Sequence, residues 1–319
     1  MPKYSFIIPV YNRPDEVKEL LASLTQQSIK EFDVVVVEDG SENDCEAVVN
    51  QFTTTLSISY HQIPNAGPGA ARNYGAAKTS SEWLIFLDSD TLIPSDYLTH
   101  VDDFLTEEDV SAYGGADKEK EDFLPIQKAI SYSMTSILTT GGIRGRKNSL
   151  EKFKPRSFNM GIKKSVFEQL GGFGKMRYGE DIDFSLRIEE ANFKTAFIPD
   201  AFVFHKRRTS FTAFFKQIRH SGEARIVLSK LHSGSMKLVH LFPTMFVAGL
   251  LASLFTVFLT PFFGVLALAV YVIYFMIIGT HAMLVNKSFK VGLLSMVAAF
   301  IQLSAYGYGF LKAGLQSFK

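Results

Sequence analysis

The sequence predicts an α/β domain built on a doubly wound, mostly parallel sheet, followed by an all-α region whose helices are long enough to cross a membrane. Short β-branched apolar runs at 5–9, 33–37 and 83–87 alternate with helix-compatible segments at 15–27 and 69–77. Apart from Ser5 and Asp33 at their starts, the runs are continuously apolar, as strands are when helices cover both faces of a sheet. Beyond residue 240 three long apolar stretches follow.

Taken in order, the first run ends at Pro9 and has only Lys3 as a charge before it. The start of the chain thus lacks the apolar core of about 7–15 residues that marks a secretory signal, and it reads as a strand. In 15–27, Val17, Leu20, Leu21 and Leu24 recur at helical spacing, with Pro14 suited to the first turn. The segment 69–77 is small and helix-compatible. Strand, helix, strand, helix, strand places ligands beyond the carboxyl ends of the strands, so the polar residues that follow each strand are the ones to search.

The stretch 241–259 has 19 residues without a charge, 262–285 has 24 with His281 as its one histidine, and 291–311 has 21. As helices these are roughly 28 to 36 Å long, enough for a hydrocarbon core of about 30 Å. The alternative, buried helices of a soluble domain, rarely needs runs this long. Thr260-Pro261 breaks the first pair, and 286–290 carries Lys287 and Lys290 between the second. Ahead of them Lys206, Arg207, Arg208, Lys216, Arg219, Arg225, Lys230 and Lys237 surround the lone acid Glu223. Phe211, Phe214, Phe215 and Ile218 are interleaved at helical spacing, as in an amphipathic collar on an anionic leaflet. The expected domains are 1–205, 206–240 and 241–319. The positive-inside rule puts the α/β domain and 286–290 in the cytoplasm. Three crossings then leave Lys319 outside, against which Lys312 and Lys319 themselves count.

The 319 residues have a net charge of +1, which hides an asymmetry. From 224 to 319 there are seven Lys/Arg and no acid, leaving 26 Lys/Arg against 32 Asp/Glu before. A mildly acidic domain does not suit nucleic-acid binding. The single Cys45 excludes an internal disulfide and a cysteine-rich zinc site.

Asp88-Ser89-Asp90 follows the third predicted strand directly, aiming two hard oxygen ligands at one volume, which suits Mg²⁺ or Mn²⁺ shared with phosphates. In isolation such a triplet is more often a turn or helix cap. Glu38-Asp39-Gly40-Ser41 closes the second strand, and Asp39 suits a base or ribose. Gly69 to Gly75 opens a helix with Arg72 one turn in, fit to hold a diphosphate or order nearby carboxylates. Gly179-Glu180-Asp181 puts acids on a helix start, where the dipole favours them whatever they do and where one could serve as a base. His205, after Phe202, Val203 and Phe204, is either a core histidine or a metal ligand. Arg144, Arg146, Lys147, Lys152 and Lys154 form a further basic stretch, read as a solvated loop ahead of a site for lipid phosphate.

Together these residues resemble family-2 glycosyltransferases of the GT-A fold, whose Rossmann-like sheet is flanked by helices. The resemblance rests on Ser5 to Asn12, Val37 to Ser41, Gly69 to Gly75, Asp88-Ser89-Asp90, Gly179-Glu180-Asp181 and His205, in that order over about 4–205. It implies an inverting transfer from a nucleotide diphosphate sugar. Pro9, Tyr11 and Asp39 would surround the base, Arg72 the pyrophosphate, and Asp88 the ribose or sugar. Asp90 and His205 would bind Mn²⁺ or Mg²⁺, and Asp181 would be the general base beside Glu180. Glu38 departs from the aspartate usual there. Processive relatives carry Gln-x-x-Arg-Trp, whereas this chain reads Gln217-Ile218-Arg219-His220 and has its one tryptophan at Trp83, so one sugar per visit is expected.

The acceptor expected is a lipid-linked or membrane-proximal saccharide in cell-surface glycan synthesis. A polyprenyl-phosphate glycosyltransferase is the alternative enzyme, and a membrane-tethered binding protein that lost turnover is the alternative of another class. Asp39 can pair with the imide N–H of uracil or thymine, favouring UDP or dTDP over GDP.

Overall fold

The computed structural model describes residues 2–118, 120, 123–140 and 153–316. Arg144, Arg146, Lys147 and Lys152 of the basic stretch lie outside the described residues, whereas Lys154 pairs with Glu189 at 3.4 Å. The chain divides into two compact units, Met1–Lys118 with Gly145–Lys206, and Glu119–Arg144 with Arg207–Lys319.

The first unit runs β1 (Tyr4–Val10), α1 (Pro14–Thr25), β2 (Phe32–Asp39), α2 (Glu46–Asn50), β3 (Ser57–Ile63), α3 (Pro68–Ala76), β4 (Trp83–Leu87), β5 (Thr91–Leu92), α4 (Tyr97–Glu107) and β6 (Ala112–Lys118). Two helices of the second unit, α5 (Pro125–Thr135) and α6 (Ile137–Thr140), come next. Then β7 (Asn159–Lys163), α7 (Lys164–Gln169), α8 (Glu180–Glu190) and β8 (Thr195–His205) complete the first unit.

Its described strands form one sheet in the order β3-β2-β1-β4-β7-β6-β8-β5. Strand β1 pairs in parallel with β2 and β4, β2 with β3, and β6 with β8, while β7 is antiparallel to β4 and β6, and β5 to β8. Six of the eight strands therefore run the same way. Their carboxyl ends meet at one edge, which brings Tyr11, Asp39, Asp88, Asp117 and His205 to the same rim.

The continuous apolar runs are the central strands. All seven residues of β1 and all five of β4 are buried, because helices lie on both faces. Strand β3 was not anticipated. It is an edge strand whose residues, Ser57 to Ile63, are exposed or half-buried, so it carries no apolar run to betray it. Helix α1 buries Val17, Leu20, Leu21 and Leu24 completely. At about 1.5–3 kcal/mol for each such side chain, this stripe contributes on the order of 6–12 kcal/mol as an upper bound.

Glycine is required where α3 meets the sheet. A Cβ at Gly75 would stand 2.6 Å from Ile7 Cγ2 and 3.1 Å from Val37 Cγ2, and both neighbours are buried β-branched side chains with no room to turn.

The second unit continues with α9 (Phe211–Leu231), α10 (Phe242–Leu259), α11 (Pro261–Asn286) and α12 (Phe289–Gln316). Ser210 caps α9 by accepting from the Ala213 N–H. Helices α10 and α11 form an antiparallel pair, with Gly264 against Val257 at the turn and Phe246 edge-on to Tyr271 lower down. The last three helices are each long and apolar enough to cross a membrane, and they match the stretches expected at 241–259, 262–285 and 291–311.

Gly75→Ala sets a gain in helix propensity of about 1 kcal/mol against overpacking of about 1–3 kcal/mol. The collision is with stiff, buried groups, so we expect net destabilisation, read as a melting temperature several degrees below wild type by differential scanning fluorimetry.

Candidate active site

The rim of the sheet becomes a site through short-range backbone geometry. After β1, Asn12 takes a left-handed conformation, φ 54°. Its side-chain oxygen accepts from the N–H groups of Glu42 and Asn43, and its own N–H donates to Ser41 Oγ at 2.7 Å. Three bonds to the loop after β2 hold an unfavourable backbone angle in place, and they send the next side chain, Arg13, onto the Asp90 carboxylate.

The loop after β2 is itself braced by both acids that end the strand. Glu38 accepts from Ser41 Oγ and from the Cys45 N–H. The extra methylene of glutamate, the departure noted in the sequence, is thus used to reach the loop beyond. Asp39, wholly within the fold, accepts from the N–H groups of Ala66 and Gly67 at 2.7 and 2.9 Å. Gly40 turns between them at φ 69°, where a Cβ would also meet the Asn65 backbone at 2.6 Å. Strand register pairs Val10 with Glu38, so Tyr11 and Asp39 follow side by side. Pro9 is buried in β1 and Tyr11 is half-exposed at its end.

Beyond β4, ligand atoms of Asp88, Asp90 and His205 lie within 4.8 Å of one another. His205 reaches this point because β8 runs parallel to β6 and ends at the rim. Its Nε2 is 3.2 Å from Asp90 Oδ1, and its Nδ1 is 3.8 Å from Asp117 Oδ2 at the end of β6. Two carboxylates and an imidazole form a donor set able to hold Mg²⁺ or Mn²⁺.

Arg72 joins this group to the start of α8. It is buried, and donates from Nη2 to Asp88 Oδ1 at 2.6 Å and from Nη1 to Glu180 Oε1 at 3.0 Å. Its buried Nε has no hydrogen-bond partner in the protein. Helix α8 can come this close because α3 begins with small residues. A Cβ at Gly69 would already touch Phe173 and Glu180 at 3.3 and 3.4 Å. Asn73 fastens the approach, accepting from the Phe173 N–H and donating to its carbonyl. Arg187 does the same from α8, bonding the carbonyls of Leu170 and Gly172 and the Asp183 carboxylate.

Gly179 caps α8 in the left-handed region, φ 79°, and Glu180 and Asp181 follow in its first turn. Arg156, just ahead of β7, donates from Nε to Asp181 Oδ2, while the Ile182 N–H donates to Asp181 Oδ1. Adjacent in sequence, the two acids differ in protonation. Burial, and then the charge of Asp181, push Glu180 from its ordinary 4.5 up to about 7 against the pull of Arg72. Burial acts on Asp181 in the same sense, but the charge and hydrogen bond of Arg156 outweigh it and hold that carboxyl below its usual range.

Of the site residues anticipated in the sequence, Glu180 and Asp181 lie in the first turn of α8, Arg72 lies in α3, and the others lie at or beside this rim. Three residues were not anticipated as part of it, namely Arg13, Asp117 and Arg156. Asp117 carried a weak signal as an acid closing a strand. Arg13 and Arg156 had no site role assigned from the sequence, because their partners lie 77 and 25 residues away.

Comparison with known proteins follows the same lines. The glycosyl transferase family 2 model matches residues 5–171, and the glycosyl transferase family group 2 model matches 157–285. An uncharacterized glycosyltransferase of Haemophilus influenzae is 29% identical over 218 residues, 65% of this chain and 70% of that one. The poly(ribitol-phosphate) beta-N-acetylglucosaminyltransferase TarS of Staphylococcus aureus is 34% identical over 111 residues, 34% of this chain and 19% of that one. Its 1–349 structure in complex with UDP superposes with a TM-score of 0.52 at 20% identity, covering 98% of this chain and 92% of that one. The mannosyltransferase PcManGT of Pyrobaculum calidifontis, in complex with GDP-Man and Mn²⁺, gives a TM-score of 0.60 at 17% identity, covering 99% and 88%. These likenesses establish the GT-A fold. The chain spans 13% to 19% of the length of the first curated relatives it matches.

A pKa raised by folding means that the folded chain holds the Glu180 proton more tightly than the unfolded chain. That group therefore favours folding near pH 4.5 and loses its contribution as pH rises through 7. We expect Glu180→Gln to flatten the fall in melting temperature between pH 5 and 8 relative to wild type, measured by scanning fluorimetry across that range.

Proposed function

The chain belongs to glycosyl transferase family 2, and from that membership we propose that it moves one sugar from a nucleotide diphosphate sugar to a membrane-associated saccharide, with inversion. The observation that carries the reading is that the Asp88, Asp90 and His205 group is joined through the buried Arg72, which pairs with both Asp88 and Glu180, to the acids Glu180 and Asp181 that open α8. Such a site offers a place for a donor diphosphate on one side and a proton acceptor on the other.

The roles follow from the chemistry of each group. Asp90 and His205 would hold a divalent ion, with Asp88 turned toward the ribose or sugar. The ion, when bound, would offset negative charge on the diphosphate. Arg72 suits the same anion through its charge, which stands beside Asp88 and Glu180. Pro9, Tyr11 and Asp39 would surround the base. Asp39 gives one hydrogen bond's worth of each oxygen to the 66–67 loop, and a carboxylate has lone pairs to spare for an imide N–H. This favours UDP or dTDP. TarS in complex with UDP agrees with it, while PcManGT in complex with GDP-Man keeps GDP in the test.

Asp181 is our choice of general base. Arg156 and the Ile182 N–H fix its orientation on a rigid helix start, and its depressed pKa keeps it deprotonated at neutral pH. The raised pKa of Glu180 favours a second reading, because a carboxyl near 7 is the better-matched proton acceptor. In that case Asp181 would act by holding Arg156.

We further assign 1–205 to transfer, 206–240 to a basic juxtamembrane segment and 241–319 to membrane attachment, with the transfer domain in the cytoplasm. The lengths of α10, α11 and α12 support attachment. Lys216, Arg225 and Lys230 on α9 suit an anionic leaflet. The acceptor matching that placement is a lipid-linked saccharide.

Turnover of UDP-, dTDP- and GDP-sugars with Mn²⁺ tests the assignment. Asp90→Asn and Asp181→Asn should each lose about 10²–10⁴-fold. Full activity in Asp181→Asn together with loss in Glu180→Gln would transfer the base to Glu180. Stabilisation of the fold by one nucleoside diphosphate plus Mn²⁺ in a thermal-shift panel is also expected, and no shift with any of them counts against the whole reading. Acceptors in the assay should include a lipid-linked saccharide and a bare polyprenyl phosphate, since use of the latter alone would mean that the enzyme charges the carrier itself.

A further inference from the structure

Length and hydropathy make α12 a third membrane-crossing helix, but its neighbours do not allow it to stand upright. Along 298–312 it runs beside α9 and in the same direction. Ala298 and Ala305 share a buried cluster with Phe214 and Ile218. A side chain at Gly222 would collide with the backbone of Tyr306 and Phe310, and one at Gly309 with that of Arg219. At the end of the run Lys312 Nζ reaches Glu223 Oε1 at 3.3 Å.

Helix α9 cannot be inside hydrocarbon. It carries Lys216, Arg219, Glu223, Arg225 and Lys230 within 21 residues, and each charge at mid-membrane costs about 2.5–3.5 kcal/mol even on the mildest scale. Nor can it lie on the far side, because only 206–210 separate it from β8 in the first unit. Five residues reach at most about 18 Å, well short of a hydrocarbon core of about 30 Å. A helix locked to α9 over three turns must stay at the level of α9.

The first turn of α10 provides an independent mark. Gly307 packs against Pro243 and Thr244, where α10 sets out. An upright α12 would by then have climbed about 27 Å from its start at Phe289. Instead residue 307 is still at the entry point of the first crossing. In keeping with this, 39% of the most apolar stretch of α12 is buried inside the unit, against 11% for α10 and 17% for α11. Its outer face keeps Phe289, Leu293, Val297, Phe300, Leu311 and Leu315 exposed at helical spacing, the stripe of a helix lying in a membrane surface.

We propose that α12 lies in the lipid interface beside α9, that only the α10–α11 hairpin crosses, and that Gln316 ends on the side from which α9 starts. The partner surface is a lipid leaflet, with acyl chains against the stripe of α12 and anionic headgroups beside Lys216 and Lys230. Lys312 then remains on the basic side. This inference rests on the membrane attachment proposed above.

Single cysteines in the full chain, in sealed vesicles treated with a membrane-impermeant maleimide, decide between the topologies. Cys45 is fully buried and does not compete. Gln316→Cys should be labelled with the same sidedness as Ser233→Cys, between α9 and α10, and opposite to Thr260→Cys at the hairpin turn. Labelling of Gln316→Cys together with Thr260→Cys overturns the proposal. Epitope tags at the two ends of the unsubstituted chain offer the same reading without a substitution. Joint protection or joint digestion by added protease supports two crossings, and opposite fates overturn them. Release of the wild-type chain by alkaline carbonate would instead overturn the membrane attachment itself.

Discussion

The guanidinium of Arg72 is buried between the carboxylates of Asp88 and Glu180 and stacks 5.4 Å from the Phe173 ring. A buried arginine needs partners on each side, since breaking a buried pair costs about 3–5 kcal/mol. The close approach of α8 to the sheet follows from that need. So do the glycine at 69, which makes room, and the Asn73 bonds to Phe173, which lock the distance. The same side chain that holds the fold closed also determines how far the acids after β4 stand from the acids of α8.

Charge is distributed around this arginine in an alternating way. Arg13 faces Asp90, Arg72 faces Asp88 and Glu180, and Arg156 faces Asp181. Four acids gathered without such cations would protonate to relieve their repulsion. Burial and the charge of Asp181 push Glu180 up to about 7 because the Arg72 it shares with Asp88 does not offset them, while Asp181, with its own arginine, stays low. Neighbours on one helix turn are thus prepared for different chemistry, the kind of separation on which acid–base catalysis depends.

The second unit obeys different physics. Its helices α10 and α11 turn large apolar side chains outward, whereas α9 and α12 join through glycines, alanines and one Lys–Glu pair. Small residues let backbones meet closely without a polar core. The charges of α9 then determine the level at which its partner can lie.

Much of this was legible in the chain alone. The apolar runs of β1, β2 and β4, the stripe of α1 and the long helices after 240 are local patterns, since burial repeats along a strand or helix with a period that short segments display. The acids that follow β2 and β4 were legible for the same reason, as strand ends lead to the ligand-binding rim. Edge strand β3 was not, because half-exposure removes the apolar signal. Partnerships were beyond local reading as well. Arg72 meets Glu180 across 108 residues, Asp117 nears His205 only because β6 and β8 run in parallel, and the Arg13–Asp90 pair depends on a left-handed Asn12 held from another loop. Spacing along a chain determines which face a residue occupies. Which residue it faces is decided by strand order and helix packing, and these are properties of the folded whole.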